Sequence, residues 1–300
     1  MNIKAWIQAA RLRTLPLSVS GIIVGSAVAT YQGAFDIGIL IGCLLTTLGL
    51  QVLSNFANDY GDGVKGTDNA DRIGPQRALQ SGAITPQQMK RGIIVTAILT
   101  FIIALILIYV AFGKENFGYA LFYVILGVSA IAAAIKYTVG KSAYGYKGMG
   151  DLFVFLFFGL VSVMGSYFLY TKHFDHLLWL PAISVGLLSS GVLNLNNMRD
   201  RESDQKAGKN TLVVSMGGEN AKKYHYFLLV TAMLLMVVYT ACSNAEMSHW
   251  IYIVTFAPII KHLRFVQENT VLKDFDPELK KLALSTFFMC ILFTIGLLIW

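Results

Sequence analysis

Asn55-Phe56-Ala57-Asn58-Asp59-Tyr60-Gly61-Asp62 closes an apolar run that begins near residue 37. From Ile37 to Ala57 there is no charged residue, and a helix of that length, rising ~1.5 Å per residue, matches the ~30 Å hydrocarbon core of a bilayer. The polar octet falls where such a helix would meet water. If the helix continues to Asp62, residues 55, 58, 59 and 62 stand at i, i+3, i+4 and i+7, so four oxygen-bearing side chains share a face. A second stretch repeats the pattern at the end of another uncharged run, 177–197, where Asn197, Asp200 and Asp204 stand at i, i+3 and i+7. Polar helix ends among lipid headgroups explain one such cluster more readily than two. Carboxylates crowded at a low-dielectric boundary repel one another, and a bound cation is the simplest reason to keep them together.

The rest of the 300-residue chain fits this reading, with 55% hydrophobic and only 14% charged residues where soluble proteins carry about 25% charged. Nine runs approach spanning length: 15–32, 37–57, 92–112, 117–136, 152–171, 177–197, 225–243, 248–266 and 282–300. An all-α bundle of nine transmembrane helices is expected, as a single domain over 1–300 with its N-terminus inside and its C-terminus outside. That arrangement puts 22 of the 24 Lys and Arg on the inside, leaving Lys114 and Lys172 outside, as the positive-inside rule requires. The +7 net charge is thereby explained by membrane topology, and no basic stripe interleaved with aromatics suggests nucleic acid. Ala27-Val28-Ala29 resembles a signal-peptidase site, but the apolar stretch before it is long for a cleaved leader. Cys43, Cys242 and Cys290 lie in apolar runs without metal-site spacing. Spans two and six are four crossings apart, so both clusters open on the cytoplasmic side. The spacing suggests a parallel repeat, spans one to four and five to eight, with a ninth helix added.

Oxygen donors favour Mg2+ or Ca2+, and Mg2+ takes one or two carboxylates together with substrate phosphates. Basic residues suited to a phosphate follow the clusters: Lys65, Arg72 and Arg77 after the first, Arg199, Lys206 and Lys209 after the second. Tyr137 and Lys141 add to them at the end of span four. Singly, each basic residue reads as a positive-inside anchor; together they can neutralise a diphosphate. No P-loop, nucleophile elbow or zinc-type helix motif is present.

At these residues the sequence resembles the UbiA superfamily of membrane prenyltransferases, through Asn58-Asp59-Tyr60-Gly61-Asp62 and Asp200-Arg201-Glu202-Ser203-Asp204. The likeness extends through Arg13-Thr14-Leu15-Pro16, Tyr137-Thr138-Val139-Gly140, Gly150-Asp151-Leu152-Phe153 and Gly208-Lys209-Asn210-Thr211-Leu212. Many members carry an Asp four residues after the first motif, where this chain has Gly66, with Asp68 two residues on. That variant, with Tyr144-Gly145-Tyr146, is similar to the 1,4-dihydroxy-2-naphthoate branch.

The resemblance implies transfer of a polyprenyl group from its diphosphate to an aromatic acid. In that branch the transfer loses CO2 and diphosphate and gives demethylmenaquinol, in menaquinone biosynthesis. It implies Mg2+ held by Asn58, Asp59, Asp62 and Asp68 on one side and by Asn197, Asp200 and Asp204 on the other. Asn58, Asp59, Asp62, Asp200 and Asp204 would be catalytic, and Lys65, Arg72, Arg77, Tyr137, Lys141, Asn197 and Lys209 would bind substrate. Phe153, Phe155, Phe157 and Phe158 are candidates to line the prenyl groove. The implied setting is the cytoplasmic membrane, with the active site facing the cytoplasm and no obligatory protein partner. 4-Hydroxybenzoate and homogentisate remain alternative acceptors. The rival from another class is a cation-coupled transporter, whose sites favour the bilayer midplane over one membrane face.

Overall fold

The computed structural model describes residues 3–69, 73–243 and 246–299, and all regular structure among them is helical. The helices are α1 (Ile3–Ala10), α2 (Leu15–Tyr31), α3 (Ile37–Lys65), α4 (Pro86–Phe112), α5 (Phe117–Lys136), α6 (Gly150–Thr171), α7 (Trp179–Lys206), α8 (Leu212–Cys242), α9 (Phe256–Glu268) and α10 (Phe275–Leu298). Eight of the helical stretches, those containing α2 to α8 and α10, are long and apolar enough to cross a membrane. The run 248–266, expected as one span, is instead built in two pieces, a 3-10 helix over Met247–Thr255 followed by α9. Pro258 accounts for the break, because it has no N–H to bond the carbonyl of Val254 and is tolerated only in a first turn.

Local chemistry sets the ends that matter for the site. The Asp36 carboxylate caps α3, accepting from the N–H groups of Gly38 and Ile39 at 2.7 and 3.0 Å. Gly66, with φ of 76°, ends α3 one turn beyond Asp62, so the polar octet is helical throughout. Thr85 and Gln88 form a capping box at the start of α4. At the N-terminus α1 buries Ala5 and Ala9 and leaves Ile3 and Ile7 exposed. It stops at Arg11, whose left-handed backbone (φ 51°) redirects the chain into α2.

Helix α2 is buried over most of its length and packs on α6 and α10. Gly21 and Gly25 make the approach to α6 possible. A Cβ on Gly21 would collide with the Ser162 side chain, and one on Gly25 with Ser166 and the Val163 carbonyl, the close backbone contact that small residues four apart permit between membrane helices. Helix α5 is the opposite case, with Ala130 its one buried residue and Phe122, Ile125 and Val128 exposed.

Candidate active site

The loops that follow α3, α5 and α7 meet at one end of the bundle. Gly66 turns the chain so that the Thr67 N–H reaches the Asp62 carbonyl at 3.0 Å. The Tyr146 hydroxyl, arriving from the loop after α5, donates to Asp62 Oδ1 at 2.7 Å and lies 2.6 Å from Thr67 Oγ1. The Tyr146 carbonyl accepts from Asn210 N–H at 3.2 Å, which ties in the loop after α7. In that loop Lys209 turns back, its N–H 2.8 Å from the Asp204 carbonyl, and its ammonium stands between the two acidic helix ends, 3.9 Å from Asp62 Oδ2 and 3.5 Å from Asp204 Oδ1. The ends of α3 and α7 thus face each other on the same side of the bundle.

Lys209 is buried. Burial works against its charge, but Asp62 and Asp204 outweigh that and hold its ammonium well above the usual lysine range. Burial pushes the Tyr137 phenol up to about 12, although Lys209 pulls the other way. A second charged group lies beside the first: Asp59, almost fully buried, sits 3.6 Å from Arg11 and 3.7 Å from Arg77, and Arg77 is 3.9 Å from Asp68.

These residues ring one end of a cavity of about 450 Å³, where Asn58, Asp62, Asp68, Asn197, Asp200 and Asp204 line the wall with Arg11, Arg77 and Lys209. Away from the mouth the lining becomes apolar, with Leu107, Ile108, Leu126, Phe157, Val161 and Leu169. Helix α6 supplies one wall through two adjacent rows, Phe153, Phe157, Val161, Gly165 and Leu169 beside Val154, Phe158, Ser162 and Ser166, each with a spacing of four. In an α-helix that spacing drifts by ~40° per step. From Phe155 to Gly165, however, α6 is a π-helix, whose i→i+5 bonds widen the turn and reverse that drift, so both rows stay on the cavity side. Phe153 and Phe158 line the cavity too, whereas Phe155 is turned to Gly186 of α7.

The four side chains expected on one face of α3 divide into two rows. Asn58 and Asp62 face the cavity. Asn55 donates to the Ala10 carbonyl at 2.8 Å and Asp59 meets Arg11 and Arg77, because i and i+4 positions form separate, slowly winding rows. Asp200 receives both Nε and Nη2 of Arg199, at 2.8 and 2.6 Å, while the same guanidinium holds Asn196 and Asp276. Tyr137 lines the cavity. Lys65 is turned to the Thr138 carbonyl at 2.7 Å with its ammonium 3.8 Å from the centre of the Tyr146 ring, and Lys141 is exposed in the turn beyond; neither lines the cavity. Arg72 lies outside the described residues. Arg11, Tyr146, Thr67, Asn196 and Ser203 join the site without having been singled out from the sequence. Tyr146, Thr67 and Ser203 carried a signal only by lying within stretches that resemble the family, Asn196 only as a neighbour of Asn197 in the second polar cluster, and Arg11 none.

The donor set suits a hard cation. Oδ1 of Asn197 and Oδ2 of Asp204 are buried and accept no hydrogen bond; the same is true of both oxygens of Asp59, but that carboxylate does not line the cavity and faces Arg11 and Arg77. Among the described residues no three acidic, His or Cys side chains converge on a single point; the two acidic sets stand apart with Lys209 between them. That spacing fits Mg2+ shared with phosphate oxygens, each ion taking one or two carboxylates, rather than an all-protein cage.

The sequence matches the UbiA prenyltransferase family over residues 18–295. Among curated relatives, 1,4-dihydroxy-2-naphthoate octaprenyltransferase of Haemophilus influenzae is 43% identical, covering 99% of this chain and 97% of that protein. The enzyme of the same name from Escherichia coli is 42% identical over 98% and 95%. Among solved structures, the apo form of a UbiA homologue from Aeropyrum pernix superposes with a TM-score of 0.70 at 16% identity, covering 96% of this chain and 98% of that one. A UbiA homologue from Archaeoglobus fulgidus bound to geranyl diphosphate (GPP) and Mg2+ gives 0.58 at 16% identity, over 94% and 99%. With its apolar helices and this match over most of its length, the chain is a multi-pass membrane protein that belongs to the UbiA prenyltransferase family.

Proposed function

We propose that the protein transfers a polyprenyl group from its diphosphate to 1,4-dihydroxy-2-naphthoate, releasing diphosphate and CO2 and giving demethylmenaquinol. The observation that carries this reading is Lys209 standing between Asp62 and Asp204 at the mouth of an apolar cavity. An anionic head and a long hydrocarbon tail are the two halves of a prenyl diphosphate. Relatives at 42–43% identity bear the name of this reaction, and the Archaeoglobus homologue is described with a prenyl diphosphate and Mg2+.

Asn58, Asp62 and Asp68 on one side, with Asn197, Asp200 and Asp204 on the other, would hold Mg2+, which when bound neutralises charge on the departing diphosphate, while Asp59, named from the sequence as a ligand, would instead hold Arg11 and Arg77 beside the site. Lys209 is already in position to take the negative charge that develops as the C–O bond breaks and its electron pair leaves with the phosphate. Arg77 and Tyr137 line the same end. The apolar walls keep water from the allylic centre. The electron-rich ring carbon bearing the carboxylate forms the new C–C bond. Loss of CO2 then returns its electron pair to the ring, so no base is needed to remove a proton there. Asp200 has a supporting part: with both oxygens on Arg199, it offers the cation only its remaining lone pairs.

We place the acidic mouth at the cytoplasmic face of the cell membrane, in keeping with the distribution of Lys and Arg. The two-piece segment 247–268 is read as a further crossing, for nine in all. The test uses purified enzyme, labelled prenyl diphosphate and a panel of aromatic acids. Decarboxylated prenyl product is expected from the naphthoate, and removal of Mg2+ with chelator should abolish it. Asp62→Asn and Asp204→Asn should each lower turnover by about two orders of magnitude. Near wild-type rates in either variant, or preference for 4-hydroxybenzoate or homogentisate, would overturn the scheme or its acceptor, respectively. Uptake into proteoliposomes without prenyl product would instead favour a transporter.

A further inference from the structure

A chain of buried polar side chains, none of which lines the cavity, ends on α7 one turn before Asn197. Glu278, near the start of α10, pairs with the exposed Lys281 through one oxygen and with Nδ1 of His262 on α9 through the other, the latter at 2.6 Å. Nε2 of His262 lies 2.9 Å from Nε2 of His225 on α8, and Nδ1 of His225 lies 3.2 Å from the side-chain amide of Asn194 on α7. Hydrogen-bond polarity runs one way along this chain. A carboxylate only accepts, so His262 donates from Nδ1. In the neutral ring its Nε2 is then a lone pair, His225 must donate to it from Nε2, and Nδ1 of His225 in turn needs a donor. Asn194 supplies one: its Nδ2 is buried without a partner, and half a turn of the amide brings that NH2 group to Nδ1 of His225. Four helices are thereby joined by hydrogen bonds that have a single arrangement of protons.

We propose that Asn194, His225, His262 and Glu278 are positioning residues, which fix the rotation of α7 about its axis and so aim Asn197, Asp200 and Asp204 at a bound divalent cation. This role rests on the Mg2+-dependent reading above. At ~100° per residue, the cavity-lining Asn196, Asn197, Asp200 and Asp204 fall within one sector of α7, and Asn194 and Arg199 stand on its two flanks. Arg199 is held by Asp276, two residues before Glu278. The start of α10 therefore grips α7 on both sides of its acidic face, directly through Asp276 and by way of two histidines through Glu278. Turning a helix by ~10° moves a carboxylate oxygen ~6 Å from the axis by about 1 Å. Mg2+ demands a near-ideal octahedron at ~2.0–2.1 Å, so a shift of that size is enough to spoil its site.

The test reads metal binding directly, with Mn2+ as the probe, titrated into purified enzyme and followed by electron paramagnetic resonance. The wild type is expected to show one binding step for each acidic set. His225→Phe keeps a ring and removes both hydrogen bonds; it should weaken one step by about tenfold and leave the other within about twofold, the scale at which groups behind metal ligands act. Glu278→Gln retains an oxygen for Nδ1 of His262 and should stay close to the wild type, whereas Glu278→Leu should match His225→Phe. The loss should persist in an Asp62→Asn background and vanish in an Asp204→Asn background, where the set it serves is already damaged. Leu229→Ala controls for packing. It lies one turn beyond His225, where a Cβ on Gly191 of α7 would strike it, and it should lower the melting temperature without moving the isotherm. An unchanged isotherm in His225→Phe, or an equal shift in Leu229→Ala, would overturn the positioning role while leaving prenyl transfer intact. Where His225→Phe cannot be purified in folded form, Asn194→Ser, which removes only the inner amide, is held to the same outcomes. A wild-type enzyme that binds no Mn2+ and turns over without divalent cation would bring down the reading on which the role depends.

Discussion

Tyr146 is the residue whose contacts most exceed what its position in the sequence suggests. Its hydroxyl donates to Asp62 Oδ1 and contacts Thr67, while the Lys65 ammonium lies over its ring, so one side chain fixes the orientation of a cavity carboxylate. Burial and the Asp62 charge push its phenol above the ordinary tyrosine range, so it remains a neutral donor at physiological pH. Tyr146→Phe is expected to raise the Mg2+ concentration needed for half-maximal turnover by about tenfold, since a hydrogen bond to a charged group contributes ~1.5–3 kcal/mol. Direct Mn2+ titration of the variant by electron paramagnetic resonance should report a matching loss of affinity; an unchanged Mn2+ isotherm would reduce Tyr146 to loop packing. Lys209 gives a prediction of pH dependence. Its folded pKa is raised, so the stability it contributes is fully present below its unfolded value near ~10.4 and is lost only as pH rises through the higher folded value. Between about pH 6 and 9 the ammonium stays charged, and Lys209→Met should lower turnover by a constant factor across that range, on the order of a hundredfold. A loss that grows steeply with pH in that window would contradict the assignment.

Among the elements, the contact of α2 with α6 bears most directly on the cavity, because the widened helix that forms one wall is held by two glycines on its neighbour. Gly25→Leu would drive a branched side chain into Ser166 and the Val163 carbonyl. It should lower the melting temperature in detergent by several degrees, in keeping with an overpacking cost of about 1–3 kcal/mol. Gly118→Leu is the control for size alone: a Cβ there has open space and the backbone is not left-handed, so it should leave the melting temperature unchanged. Periodicity and run length located the apolar helices, and the helical spacing found Asn58, Asp62, Asn197, Asp200 and Asp204, which line the cavity, together with Asn55 and Asp59, which do not, because spacing along one helix says nothing of which row its neighbours cover. The π-helical register of α6 was not legible, since it depends on how α6 packs against α2 and α7. Arg11 and Tyr146 were not legible as site residues either. Each reaches the site through a loop, and nothing in the spacing of a loop says which carboxylate it will meet. Pro258 was visible in the run 248–266, but counting apolar residues concealed its effect on the hydrogen-bond ladder.

At the scale of the whole molecule, the packing of the last three elements makes the side of the membrane that each end occupies a matter for direct test. A Cβ on Gly296 would strike the Ser248 carbonyl, so the 3-10 helix that starts at Met247 lies beside the end of α10. His262 of α9 bonds Glu278 near the start of α10 at 2.6 Å, and its other nitrogen meets His225 of α8 at 2.9 Å. The segment from 248 to 262 therefore runs antiparallel to α10 from Gly296 back to Glu278. The 18 steps from Glu278 to Gly296 of α10 rise about 27 Å, close to the ~30 Å depth of the hydrocarbon core. If α10 crosses the membrane, its two-piece neighbour crosses with it, although neither piece is long enough alone. Counting it gives nine crossings and puts the end of α10 on the side away from Lys209 and the acidic mouth. A phosphatase that matures only outside the cytoplasm, fused after Ile299, should then be active, and the same reporter fused after Gly208 should be inactive. If the fusion after Ile299 is inactive and a cytoplasmic fluorescent reporter at that site matures instead, the segment 247–268 does not cross, and the chain has the eight spans that length alone assigns.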